Sequence, residues 1–321
     1  MTSLFSMPER HTLLHSRLLA EISRRQLPDV RGWSHFGTQI SAESTSAALL
    51  ALSSSPLGPP VIEEDGARLL ARWRSNGTWA ATDGAVPSVW ATAWAVNALI
   101  TIRASQEPLA AAITTLVHWL PLETSWLVRL KFRFSDRQVR FDPTKYGWPW
   151  VPDTVSWVLP TSMAMITLER ARKRRLVSGK EVETRLRLGS EMLLDRVCVG
   201  GGWNAGNAVV YGVPLRPHID ATAIALAALR RSYQHPTVRD SLTWLLARVD
   251  CPSAYSLAWL ILAAAAYRDV RADVIPALTA ACNHLATLVE DPRGIQDTST
   301  IAIAALALGV DSNDNPFEVN A

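Results

Sequence analysis

Residues 83–99 read DGAVPSVWATAWAVNAL, and inside this stretch Thr92, Ala95 and Leu99 stand three and seven residues apart. Those offsets place the three side chains on one face of a helix. The positions between them are apolar as well, so such a helix has no wet side and must be buried all round. The same spacing recurs at Thr45/Ala48/Leu52, Thr161/Ala164/Leu168 and Thr222/Ala225/Leu229. With Tyr or Ser in first place it returns at Tyr255/Ala258/Leu262 and Ser299/Ala302/Leu306. Six copies of one pattern along a chain indicate a repeat architecture.

Between the copies lie six segments with apolar residues on one face only: 13–25, 63–74, 108–120, 180–197, 237–249 and 272–290. In the fourth of these, Val182, Leu186, Leu193 and Leu194 oppose Glu181, Glu183, Arg185 and Arg187. Buried and amphipathic helices in alternation predict an all-α, (α/α)6 toroid of six inner and six outer helices, with residues 1–321 as a single domain. The Ala at the third offset lets inner helices approach one another. A Gly-Trp signature precedes four inner helices: Gly32-Trp33, Gly77-Thr78-Trp79, Gly147-Trp148 and Gly202-Trp203. The first three tryptophans stand twelve or thirteen residues before the repeat Thr and the fourth nineteen, so the fourth lead-in loop is expected to be longer. The sequence VRLKFRFSDRQVRF at 128–141 alternates apolar and basic residues around Ser135-Asp136, which predicts a small β-hairpin insertion. Its basic edge, Arg129, Lys131 and Arg133, reads as a solvated face, with a diphosphate or anionic lipid as the alternative partner.

Composition narrows the class. Of 321 residues, 48% are hydrophobic and 19% charged, which supplies a large core and argues against disorder. The net charge of +3 comes without a dense Lys/Arg stripe, so no nucleic-acid partner is expected. Three scattered cysteines, Cys198, Cys251 and Cys282, make no disulfide framework and fit a cytoplasmic protein. Residues 1–25 lack the apolar core of a signal peptide. The longest apolar runs, 256–267 and 300–310, are shorter than the roughly 20 residues of a membrane span.

Three segments, GGWNAGN (201–207), GWPWVPDTVSWVLPTSMAMITL (147–168) and the stretch at 83–99, resemble the repeats of the squalene cyclase and protein prenyltransferase superfamily, in particular its small bacterial single-toroid members. The resemblance covers nearly the whole chain and speaks to fold more than to chemistry. It implies a hydrophobic, isoprenoid-type small molecule as partner, and leaves peripheral membrane contact open. The DxDD motif of the protonating cyclases does not occur here, nor does the DDxxD of the metal-dependent synthases. The place of the zinc-ligand His of the prenyltransferases falls on Thr298. No metal and no cofactor is expected.

The pocket of such a ring opens where inner helices begin. Two positions before the repeat residue stand Glu43, Asp220 and Asp297; as helix-start acids they cap, and as carboxylates on an apolar rim they raise one another's pKa. Asp153 lies in the aromatic run 148–157, where desolvation would hold it protonated and Trp faces would stabilise a carbocation. Its other role is to cap the third inner helix. The candidate acids are therefore Asp153, Asp220 and Asp297, and the candidate substrate wall is Trp90, Trp94, Trp148, Trp150, Trp157, Trp203, Tyr255 and Trp259. Three functions follow as expectations: a terpene-cyclase-like isomerase or lyase working by acid-initiated carbocation chemistry, a non-catalytic toroid binding an isoprenoid, lipid or partner protein, or a carbohydrate-active toroid with paired carboxylates.

Overall fold

The computed structural model describes residues 9–27, 32–37, 39–56, 63–104, 106–135, 141–311 and 315–319. The first half of the chain gives α1 (Glu9–Arg24), α2 (Ala42–Ser54), α3 (Glu63–Ala71), α4 (Val89–Thr101), α5 (Gln106–His118) and α6 (Trp126–Ser135). The second half adds α7 (Val158–Lys173), α8 (Lys180–Asp195), α9 (Ile219–Ala228), α10 (Pro236–Leu246), α11 (Ala254–Ala265), α12 (Val274–Leu288) and α13 (Thr298–Leu308).

Helix packing closes a ring. Helix α2 lies against α4, α4 against α7, α7 against α9, α9 against α11, α11 against α13, and α13 returns to α2. Outer helices cover the seams: α1 touches α13 and α2, α3 touches α2 and α4, α5 touches α4 and α7, α10 touches α9 and α11, and α12 touches α11 and α13, while α8 lies on α7. This is the all-α toroid that the six copies predict. The Ala-rich inner helices are buried nearly throughout, as residues 257–265 of α11 show. Residues from the first turns of α2, α4, α9 and α11 and the N-cap of α13 interact with one another, so these inner helices begin at one end, the mouth of the ring.

The repeat Thr and the Gly-Trp pair prove to be two halves of one latch. The hydroxyl of Thr45, Thr92, Thr161 or Thr222 accepts the backbone N–H of Trp33, Trp79, Trp148 or Trp203, at 3.3, 2.9, 2.9 and 2.8 Å. The indole N–H of each Trp donates back to a carbonyl near the end of an outer helix, Ile22, Leu70, Leu116 or Leu193, at 2.7 Å in all four. One side chain thus ties the lead-in loop to both layers and satisfies two buried donors. The Gly before it is required by space at the third copy: a Cβ on Gly147 would stand 2.2 Å from Thr161 Oγ1.

The middle of the ring is filled by aromatic side chains. Trp94 of α4 and Trp259 of α11 meet with ring centroids 6.1 Å apart. Phe317, which is 1% exposed, packs against them at 5.5 and 4.6 Å. Segment 315–319 holds it there through Asn315 Nδ2, which donates to the Leu262 carbonyl at 3.0 Å.

The hairpin expected at 128–141 is corrected: residues 126–135 form helix α6, and 136–140 lie outside the described residues. The alternation misleads because Val128 and Phe132 are also i and i+4 neighbours on a helix, and Phe132 packs against Phe141 at 5.0 Å. Trp126, Leu127 and Leu130 are exposed on the same helix. A short hairpin does occur in the longer fourth lead-in loop, between Val209–Val210 and Val213–Pro214. Tyr211 and Gly212 turn it with φ of 51° and 75°, the left-handed pair that a two-residue turn of this hand needs. Among the described residues, no helix is long and apolar enough to cross a membrane.

Candidate active site at the ring mouth

Four inner helices bring titratable groups to the mouth. Glu43 sits in the first turn of α2, Asp220 in the first turn of α9, Tyr255 in the first turn of α11, and Asp297 caps α13. The three acids share the position two residues before the repeat residue, which is why the ring brings them to the same level. Trp90 holds that position on α4.

Glu43 is held by the Trp90 indole, whose Nε1–H donates to Oε2 at 2.8 Å. Burial raises the Glu43 pKa above the ordinary carboxylate value and the charge of Asp297 adds to the rise, against the opposing Trp90 bond and His35. Asp297 is held by a different set of partners. It accepts from the Ser299 and Thr300 backbone N–H groups at 3.0 and 2.9 Å and from the Thr300 hydroxyl at 2.7 Å, and His35 Nδ1 lies 2.9 Å from its other side. Its oxygens are occupied as those of a helix N-cap. Tyr255 lies among the acids: burial pushes its hydroxyl pKa up, and the charges of Glu43, Asp220 and Asp297 push it further.

An aromatic wall continues inward from these groups. Trp150 stands 5.4 Å from Trp90, Trp90 6.0 Å from Trp94, and Tyr255 6.4 Å from Trp259. The indole Nε1 atom of Trp94 is buried and has no hydrogen-bond partner among the described residues.

Several expected site residues stand elsewhere. Asp153 is exposed and occupies a tight turn with φ of 60°, so it is neither walled by tryptophans nor the cap of α7, whose N-cap is Trp157. Its aromatic neighbours in sequence point apart: Trp148 is 0% exposed in its latch, Trp150 faces Trp90, and Trp157 is 37% exposed. Trp148 and Trp203 leave the substrate wall for the same reason, each being tied between helix layers. Trp150, Trp90 and Trp94 are in ring contact, as are Tyr255 and Trp259, and the charges of Asp220 and Asp297 act on Tyr255. Glu43 adjoins both groups through Trp90 and Tyr255, and the signal for it was its shared position two residues before the repeat residue.

Among the described residues, no three His, Cys, Asp or Glu side chains come together as a metal site. Cys198 and Cys251 are buried, Cys282 is half-buried, and all three are free thiols.

No protein-family model matches the chain, and no curated protein matches it. Among solved structures the chain is similar to Candida albicans protein geranylgeranyltransferase-I complexed with GGPP, at 11% identity over 97% of this chain and 95% of that one, with a TM-score of 0.46.

Proposed function

We propose that the ring mouth is an acid–base site for a neutral, isoprenoid-type hydrocarbon, making the protein an isomerase or lyase of the terpene-cyclase kind with Glu43 as the proton donor. The observation that carries this reading is the Glu43 carboxyl, whose pKa burial raises and which the Trp90 indole aims beside an aromatic wall. A protonated acid at an apolar surface can give its proton to one carbon of an alkene. The positive charge left on the other carbon lies against Trp and Tyr faces, which stabilise cations. Loss of a neighbouring proton to the Asp220 carboxylate restores a double bond, and solvent at the mouth returns that proton to Glu43. The sum is an isomerisation. The charges of Asp220 and Asp297 at the mouth would repel a diphosphate, so a neutral substrate fits better than a prenyl diphosphate.

The test is incubation with squalene and shorter neutral isoprenoids, with organic extracts read by mass spectrometry. A rearranged product from the wild type, absent with Glu43→Gln and retained with Asp153→Asn, is the expected result. Full turnover by Glu43→Gln would remove the reading.

A second reading, a non-catalytic toroid that binds an isoprenoid, lipid or partner protein, draws on the packing of Trp94, Trp259 and Phe317 in the ring centre. A ligand-induced thermal shift without product, equal in wild type and Glu43→Gln, is its signature.

A further inference from the structure

The end of the ring opposite the mouth carries the reverse charge. There a cavity of about 260 Å³ is walled by the last turn of α7, the 3-10 turn Arg230–Ser232 that follows α9, and segment 315–319. Its charged lining is Arg170, Arg172, Lys173, Arg231, Glu169 and Glu318, four cations against two carboxylates. A second cavity of about 210 Å³ shares Glu169, Arg172 and Arg231 with it.

Some of these charges have structural duties. Arg170, 7% exposed, ties α7 to α4 through the Asn97 carbonyl and Oδ1 at 3.2 Å and the Thr101 hydroxyl at 2.9 Å. Glu169, 8% exposed, is held by Arg172 at 2.6 Å and Arg231 at 3.2 Å. Cations in a last helical turn also complement the helix dipole. That dipole is equivalent to about half a charge, whereas the cavity gathers four full ones from two elements. Glu169 and Glu318 offset two of them, and Glu169 also holds two guanidinium groups in fixed orientation, which is the preorganisation that bidentate recognition of an oxyanion uses.

We propose that this cavity binds a compact phosphate-class oxyanion, seated by Arg172, Lys173 and Arg231, with Glu318 as the opposing charge that limits affinity. The site is independent of the chemistry at the mouth. Its size suits a phosphate or diphosphate group, and its arginines supply fork-shaped donors for tetrahedral oxygens.

The experiment is isothermal titration calorimetry of the whole chain with inorganic pyrophosphate and with orthophosphate, at ionic strength matched by sodium chloride. Saturable binding is expected, weakened on the order of tenfold by Arg231→Gln through loss of one charge-assisted contact. Glu318→Gln is expected to tighten it several-fold by removing a like charge. Arg231 and Lys173 are exposed, so Arg231→Gln and Lys173→Gln leave the core untouched. Absence of saturable binding, or affinity unmoved by both Arg231→Gln and Glu318→Gln, would overturn the site. Sedimentation with phosphatidylcholine vesicles containing phosphatidic acid separates the sources: capture lost in Arg231→Gln marks a lipid headgroup, and soluble binding without capture marks a free anion.

Discussion

The first four repeats and the last two solve the same problem differently. In repeats one to four the Thr hydroxyl is committed to a Trp backbone N–H, and that Trp reaches across to an outer helix. Repeats five and six carry Tyr255 and Ser299 in that place and no Gly-Trp pair before them. There the Tyr255 hydroxyl faces the acids of the mouth, and the Ser299 hydroxyl meets Ser44 across the ring closure at 3.0 Å. Where the repeat keeps its latch it builds walls. Where it drops the latch, the repeat position itself is released, to a phenol beside the acids in one copy and to ring closure in the other.

The sharpest way to break this comparison is to remove a latch. Trp203→Ala should lose about 3–5 kcal/mol of unfolding free energy as a large core side chain, whereas Tyr255→Phe should stay within about 0.5 kcal/mol. Chemical denaturation of both variants checks it, and equal losses would end the distinction. Gly147→Ala comes next, at about 1–3 kcal/mol, because the new methyl collides with Thr161. Thr92→Val strands the buried Trp79 N–H and should also cost about 1–3 kcal/mol, more than Ser299→Ala.

The smallest effect belongs to Glu43, and its sign depends on pH. Its folded pKa is raised above the unfolded value near 4.5, so the folded state binds the proton more tightly. The stability this gives is full below pH 4.5 and is lost as pH rises through the folded pKa. Glu43→Gln lacks that dependence. Its melting temperature relative to wild type should therefore climb with pH in paired thermal scans from acid to neutral.

The inner helices were legible because burial on every side leaves a mark that no surface helix shares, and the outer ones because 3.6-residue periodicity survives in segments such as 180–197. The latch was half legible: the sequence displays Gly-Trp and Thr at fixed spacing, but only tertiary structure joins Trp148 N–H to Thr161. Asp153 was misread because neighbours in sequence are not neighbours in space when a chain turns with positive φ between them. The basic cavity was not legible, since Arg172, Arg231 and Glu318 are brought together from three separate elements.

Closure of the ring also bears on how the chain finds its fold. The Ser44–Ser299 hydrogen bond joins residues 255 apart, while the other inner pairings link consecutive repeats. Tethering ends at that separation costs about 5 kcal/mol of chain entropy in a simple loop-closure picture, and long-range contacts are the slow ones. By topology the α13–α2 seam is therefore the one that closes at the greatest entropic cost, and an arc lacking it would leave the apolar flanks of both helices uncovered, surface of the kind that aggregates.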